Sequence, residues 1–80
     1  MLGNLKDNDL NQKVKNLAKK EREITQEMIA YIAEVDRRQL FLRMGYPSLY
    51  AYLTLEIHYS EGAAQRRIDA ARLFHRVPEV

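Results

Sequence analysis

The fold is decided by residues 47–76, which read PSLYAYLTLEIHYSEGAAQRRIDAARLFHR. Pro47 suits the first turn of a helix and Ser48 can cap it, so a helix is predicted over residues 49–57. The apolar residues expected on the inner side of this helix are Leu49, Tyr52, Leu53 and Ile57. They recur at the spacing that places side chains on one face of a helix.

A second helix is predicted directly after this one. His58 and Tyr59 interrupt the pattern, and His58 tolerates the positive φ that such a turn needs. Ser60 supplies a new N-cap, and an alanine-rich run continues from Glu61 to about Phe74, with Pro78 stopping whatever remains. Two helices joined by three residues form a helix-turn-helix, which we place at residues 47–76. The small residues expected to let its helices approach closely are Ala51, Ala63 and Ala64.

The last helix has two faces of different chemistry. A helical wheel groups the apolar side chains on one arc, which holds Ala63, Ala64, Ile68, Ala70, Ala71 and Phe74. The opposite side gathers Gln65, Arg66, Asp69, Arg72 and Arg76. Glutamine matches adenine and arginine matches guanine or phosphate, so this outer face is the predicted DNA-contacting surface. Asp69 argues against it, since a carboxylate repels phosphate unless it accepts from cytosine or orients an arginine. Arg67 falls on the apolar side and is expected to pair with Glu34 or Asp36.

N-terminal to this region lies one long amphipathic segment. Neither proline nor glycine occurs between Asp9 and Asp36. Alternating steps of four and three residues connect Leu10, Val14, Leu17, Glu21, Ile24, Met28, Tyr31 and Val35, where Glu21 is the one polar member. This is a heptad stripe, and it predicts one helix over residues 8–37, capped by Asp7 or Asn8. The alternative is a break near residues 19–21 with the two halves folded back as a hairpin.

The predicted helix is longer than the rest of the chain can cover. At 1.5 Å per residue it spans roughly 45 Å, which exceeds the diameter of a compact chain of this size. Its N-terminal stripe, made of Leu10, Val14 and Leu17, is therefore the predicted dimerisation surface. After it, residues 40–42 are a compact apolar run that predicts a short helix ending at Gly45. Tyr31 and Tyr52 lie on apolar stripes and are expected in the core.

Composition indicates a single all-α module without a catalytic site. The chain has 80 residues and no cysteine, so neither disulfides nor thiolate metal sites stabilise it. No signal segment or membrane span is indicated, and we expect a soluble, cytoplasmic protein without membrane contact. The two histidines, 17 residues apart, are poor metal ligands, and Ser60 lacks a neighbouring base. We therefore expect no catalytic residue, no metal, no cofactor and no small-molecule substrate.

The charges are divided unequally along the chain. Residues 1–36 hold six basic and seven acidic side chains, a net charge of −1. Residues 37–80 hold seven arginines and four carboxylates, a net charge of +3. Because the guanidinium group binds phosphate and guanine edges bidentately, this asymmetry favours nucleic acid as a partner of the second half. A solvated basic face is the alternative.

Three strings of residues resemble a known family. They are GYPSLYAY at residues 45–52, SEGAA at residues 60–64 and RRIDAAR at residues 66–72. They are similar to the helical N-terminal region that precedes the nuclease in a group of bacterial HNH endonucleases, and the similarity extends over nearly the whole chain, including Val77-Pro78. The resemblance implies a DNA-directed parent protein in which this segment serves targeting or assembly. The family's histidine-and-asparagine nuclease core would follow residue 80.

Two functions are compatible with these features. The first is a homodimeric helix-turn-helix module that binds double-stranded DNA, with phosphate contacts from the arginines. The alternative is a protein-protein interaction and oligomerisation module that makes no direct DNA contact. The two differ in salt dependence, because counterion release makes DNA affinity fall steeply with ionic strength.

Overall fold

The structure is a computed structural model that describes the backbone of residues 2–76 and the side chains of residues 2–74. A short 3-10 turn at Leu2–Asn4 precedes four α-helices, α1 (Asp7–Arg38), α2 (Leu40–Arg43), α3 (Leu49–Ala51) and α4 (Glu61–Arg76). A π-helical turn, Tyr52–Glu56, continues α3, and no strand occurs in the described backbone. The predicted all-α order of a long helix, a short helix and two further helices joined by a turn is confirmed. Pro78, the predicted stop, lies outside the described residues.

The long helix is continuous, as the heptad stripe predicted, and it does not fold back as a hairpin. Its N-cap is Lys6 and no side chain caps it, so the prediction that Asp7 or Asn8 would do so was wrong. Asp7 instead lies in the first turn, where its negative charge complements the helix dipole. The helix ends at Gln39, whose left-handed backbone, with φ of 52°, directs its N–H to the carbonyls of Val35 and Asp36.

A small apolar core joins the C-terminal third of α1 to the rest of the chain. The buried side chains are Ile32, Ala33, Phe41, Leu49, Leu53, Ala64, Ile68 and Ala71. The principal contact is between α1 and α4. The three alanines among them, Ala33, Ala64 and Ala71, are completely buried. Because alanine side chains are this short, the backbones of the two helices can lie close together.

The N-terminal two thirds of α1 project from this core as an arm, which we define as residues 7–27. Within the arm only Ala18 and Thr25 are even partly buried. Met28 is the first residue that packs against the core. The molecule extends 50 Å along its longest axis, and its radius of gyration is 16.8 Å, against about 12 Å for a compact chain of this length. The expectation that the long helix extends beyond its own domain is confirmed.

The segment from α3 to α4 follows the predicted capping pattern. Ser48 caps α3, its Oγ accepting from the Ala51 N–H at 3.0 Å, while Pro47 lies one residue before the cap rather than in the first turn. The Thr54 hydroxyl donates to carbonyls just upstream of the widened turn. His58 adopts φ of 69°, and Ser60 accepts from the Ala63 N–H at 3.2 Å. The two serine caps and the positive φ at His58, all predicted from the sequence, are therefore present in the structure.

Tyr31, which was expected in the core, and Phe74, which the helical wheel placed on the apolar arc of the last helix, are both exposed. Tyr31 is 67% exposed and Phe74 is 52% exposed. On α1 the buried residue Ile32 is about 100° from Tyr31, so the core covers only one edge of the heptad stripe, where Met28 and Val35 pack, and leaves Tyr31 exposed. On α4 the buried residues are Ala64, Ile68 and Ala71, and Phe74 lies beyond the end of this row. Tyr52 does pack against the core as expected.

Candidate nucleic-acid interface

The polar face of α4 is exposed, as the helical wheel predicted. Among its described side chains, Gln65, Arg66, Asp69 and Arg72 are all exposed. Arg76 belongs to the last turn of the helix, and its side chain lies outside the described part of the chain. Leu73 is also 55% exposed and interrupts this face with an apolar side chain. The surface is thus polar and basic with one apolar member.

Gln65 and Asp69 hold each other in place. The Gln65 Nε2 donates to the Asp69 Oδ1 at 3.0 Å, one turn further along the helix. A glutamine amide has two N–H donors and one carbonyl acceptor, so this bond leaves one donor and the acceptor of Gln65 unused. That donor and acceptor suffice for the bidentate recognition of adenine. Asp69 therefore orients the predicted base-reading residue, and its own charge is partly satisfied by the same bond.

Arg72 bridges the candidate surface and α1. Its Nε lies 3.5 Å from the Asp36 Oδ2, while 60% of its side chain stays exposed. A guanidinium has five N–H donors in a fixed fork, so a contact at Nε leaves the outer nitrogens available. Asp36 can orient this arginine toward solvent. The sequence had instead suggested Arg67 as a partner of Asp36.

The expected pairing of Arg67 with Glu34 or Asp36 was wrong. The Arg67 guanidinium lies over the Tyr59 ring, 5.6 Å from its centroid, in cation-π geometry. Its Nε is buried and has no hydrogen-bond partner among the described residues. Glu34 is occupied by two other arginines and Asp36 by Arg72. Arg67 therefore serves the packing of the turn before α4 instead of an ion pair.

Arg66 is the most available cation of the α4 surface. It is exposed and makes no ion pair with any described residue. One of its terminal nitrogens would lie 3.5 Å from a Cβ placed on Gly62, so the side chain lies back over the first turn of the helix. Its guanidinium is free to bind an anion such as phosphate.

The other arginines of the second half do not join this surface. Arg37 and Arg38 both bind Glu34, and the hydrogen bond from Arg37, followed by that from Arg38, lowers the pKa of Glu34 to about 2. Glu34 and Asp36 are about 200° apart around α1, so this cluster lies on the side away from Arg72. Arg43, at the end of α2, is exposed. The basic half of the sequence thus divides into at least two surfaces.

The predicted dimerisation residues form a second candidate surface on the arm. Leu10, Val14 and Leu17 are between 44% and 57% exposed. Two further residues of the same stripe, Ile24 and Tyr31, are more exposed still. Val14, Leu17, Ala18 and Ile24 line a shallow apolar groove beside Lys20 and Glu21. We use the name "stripe" for Leu10, Val14, Leu17, Ile24 and Tyr31.

Two features of these surfaces were not predicted from the sequence, namely the exposure of Tyr31 and the contact between Arg72 and Asp36. Tyr31 was expected in the core, and only the direction from which α4 approaches α1 shows that it extends the stripe. Asp36 as the partner of Arg72 has no sequence signal, because the two residues are 36 positions apart.

The described part of the chain holds neither a metal-binding cluster nor a helix that could span a membrane. No group of three or more histidine, aspartate or glutamate side chains there is arranged to hold a metal ion. None of the described helices combines the length and the apolar character needed to cross a membrane. Comparisons with protein families, with curated proteins and with solved structures found no match for this chain.

Proposed function

We propose that this chain is a non-catalytic DNA-binding module, which pairs with a second copy through the arm and contacts double-stranded DNA through α4. The observation that carries the proposal is the joint exposure of Arg66, Arg72 and the oriented Gln65 on one helix that follows a short turn. In helix-turn-helix proteins the second helix enters the major groove and its polar side chains reach phosphates and base edges. The resemblance to the region that precedes HNH nucleases supports a role in targeting or assembly of such an enzyme.

The experiment is a titration of duplex DNA at two salt concentrations with the Arg66→Ala/Arg72→Ala variant and the unmodified protein. Each lost phosphate contact should lower the slope of log affinity against log salt by roughly one, so the double variant should lose about two. The matched control is Lys15→Ala/Lys19→Ala, which removes the same charge from the arm at exposed positions away from the stripe. Circular dichroism must first show that each variant is folded.

The control variant should bind DNA nearly as the unmodified protein does. If the α4 variant also binds with unchanged affinity and slope, its arginines do not touch DNA. Contacts would then have to come from Arg37, Arg38 and Arg43. The Gln65→Ala variant tests sequence preference separately. Loss of a bidentate base contact should weaken binding to the preferred DNA site by about 1–3 kcal/mol and binding to other sites only slightly.

Pairing through the arm is supported by the lack of tertiary contacts along it. A helix without packing partners is only marginally stable in water, and most helical stability in proteins comes from burying an apolar face. The arm carries such a face and nothing in the described chain covers it. A second copy that covered it would stabilise both helices.

Sedimentation tests this pairing. Val14→Asp/Leu17→Asp should yield a monomer with reduced helicity, because it places charges in the apolar stripe. Gln12→Asp/Asn16→Asp introduces the same two charges at exposed positions off the stripe and should remain a dimer. A monomeric unmodified protein at tens of micromolar would contradict the pairing.

A second candidate is a protein-interaction module without DNA contact. Its supporting observation is the apolar surface around the end of α4, where Leu73 and Phe74 are each more than half exposed. In that case the same titration should detect no salt-dependent DNA binding. A packed protein interface changes far less with ionic strength than DNA binding does.

A further inference from the structure

We propose that two copies of α1 pair in antiparallel orientation, with Glu21 of each chain opposite Ile24 of the other. This inference rests on the pairing proposed above and adds its direction and register. It follows from which charged residues flank the exposed stripe and from Glu21, the acidic residue that lies between Leu17 and Ile24 on the same face.

The heptad positions follow from the exposed stripe and from Glu21 and Met28 on the same face, of which Met28 also packs against the core. The stripe residues Leu10, Leu17, Ile24 and Tyr31 occupy position d, while Val14, Glu21 and Met28 occupy position a. The side chains on one flank, position g, include Lys13, Lys20 and Glu27. Those on the other flank, position e, are the uncharged residues Asn11, Ala18 and Thr25.

A parallel pair in register is disfavoured by this arrangement. It would place Glu21 of one chain against Glu21 of the other in the same core layer, where like charges repel at close range. It would also bring each g residue next to an e residue of the partner. Lys13 and Lys20 would then face alanine and threonine, and no interchain ion pair would form.

An antiparallel pair brings a against d and g against g. When Glu21 faces Ile24, Lys20 of each chain lies beside Glu27 of the other, and the two-fold symmetry makes this ion pair twice. Sliding the register by one heptad toward the N-terminus places Lys20 against Lys20. Sliding it one heptad the other way places Glu27 against Glu27. Only the intermediate register leaves no like-charged pair at these flanking positions.

The exposure of Tyr31 makes this register sterically accessible. In it, Val14 of one arm packs beside Tyr31 of the other chain, near the globular end. Tyr31 is 67% exposed on the side of α1 that α4 does not cover, so the stripe stays open there. Five stripe residues from each chain, at roughly 50–100 Å² of apolar surface apiece, bring about 500–1,000 Å² together. With the aliphatic stems of flanking lysines this approaches the smallest stable interfaces, which bury about 1,200 Å².

Cysteine cross-linking of the full chain distinguishes the two orientations, and the protein has no native cysteine to interfere. In the antiparallel register a Val14→Cys chain mixed with a Tyr31→Cys chain should form an interchain disulfide under mild oxidation. Val14→Cys alone should not, because the two residues 14 would be about 25 Å apart at 1.5 Å per residue. Efficient self-cross-linking of Val14→Cys would overturn the antiparallel orientation while leaving the dimer intact.

A charge exchange checks the register without cysteine. Lys20→Glu should weaken dimerisation roughly ten-fold, since two attractive pairs become repulsive. Adding Glu27→Lys to the same chain should restore the affinity. Lys19→Glu, on the side of the helix away from the stripe, is the matched control and should have little effect. A Lys20→Glu chain that dimerises like the control would refute the register, and a monomeric unmodified protein would refute the dimer itself.

Discussion

The contact between α1 and α4 can be tested by enlarging one side chain, Ala64→Leu. Ala64 is fully buried, and so are Ala33 across the contact and Ala71 two turns along α4. A leucine adds three carbon atoms where no exposed surface remains to receive them. The two helices would have to separate or the leucine would have to leave its preferred rotamer, at a cost of about 1–3 kcal/mol.

The expected loss is large for a chain of this size. One kilocalorie per mole shifts the melting temperature of a 60–100-residue domain by about 4–8 °C, so a 2 kcal/mol cost predicts a fall of roughly 8–16 °C. The assay is thermal unfolding followed by circular dichroism. All variants must be compared at one protein concentration, because the proposed pairing would make the melting temperature depend on concentration.

The matched control places the same residue on the same helix at an exposed position. Arg66→Leu should change the free energy of unfolding by no more than about 0.5 kcal/mol, as most surface substitutions do. If Ala64→Leu melts within 2 °C of the unmodified protein while the control behaves as expected, then Ala64 does not lie at a close helix contact. The packing of α4 against α1 would then need a different register.

Two further predictions concern α4 and α1 separately. Gly62→Ala should raise the free energy of unfolding by roughly 0.5 kcal/mol, because alanine restricts the unfolded chain and the new methyl group meets only the flexible end of Arg66 at 3.5 Å. Chemical denaturation measures this change, and a lower free energy of unfolding would contradict the prediction. Glu34 should titrate near its pKa of about 2 in an NMR experiment and should move back toward 4.5 in Arg37→Gln/Arg38→Gln. Because folding lowers this pKa, its contribution to stability is complete above about pH 4.5 and is lost as the pH falls toward 2. An unshifted Glu34 would mean that the two arginines do not bind it in solution.

The sequence by itself determined the helices and most of their ends. Residues 9–36 contain no helix breaker and show a regular apolar period, and these local properties are sufficient to predict one long helix. The serine caps at Ser48 and Ser60 act on backbone N–H groups only three residues away, so they too are visible locally. The exposed polar face of α4 followed from the same helical period.

The tertiary structure decided which side of each helix meets the core. A period shows that a helix is amphipathic, but the apolar arc is wide and the approach of a neighbour selects only part of it. α4 approaches α1 from one side, so that Ile32 is buried and Met28 and Val35 pack against the core, while Tyr31 is left exposed. The same approach brings Arg72 to Asp36 and directs Arg67 to Tyr59. Such partners are distant in the chain, and their proximity depends on the position of whole helices, which no local pattern encodes.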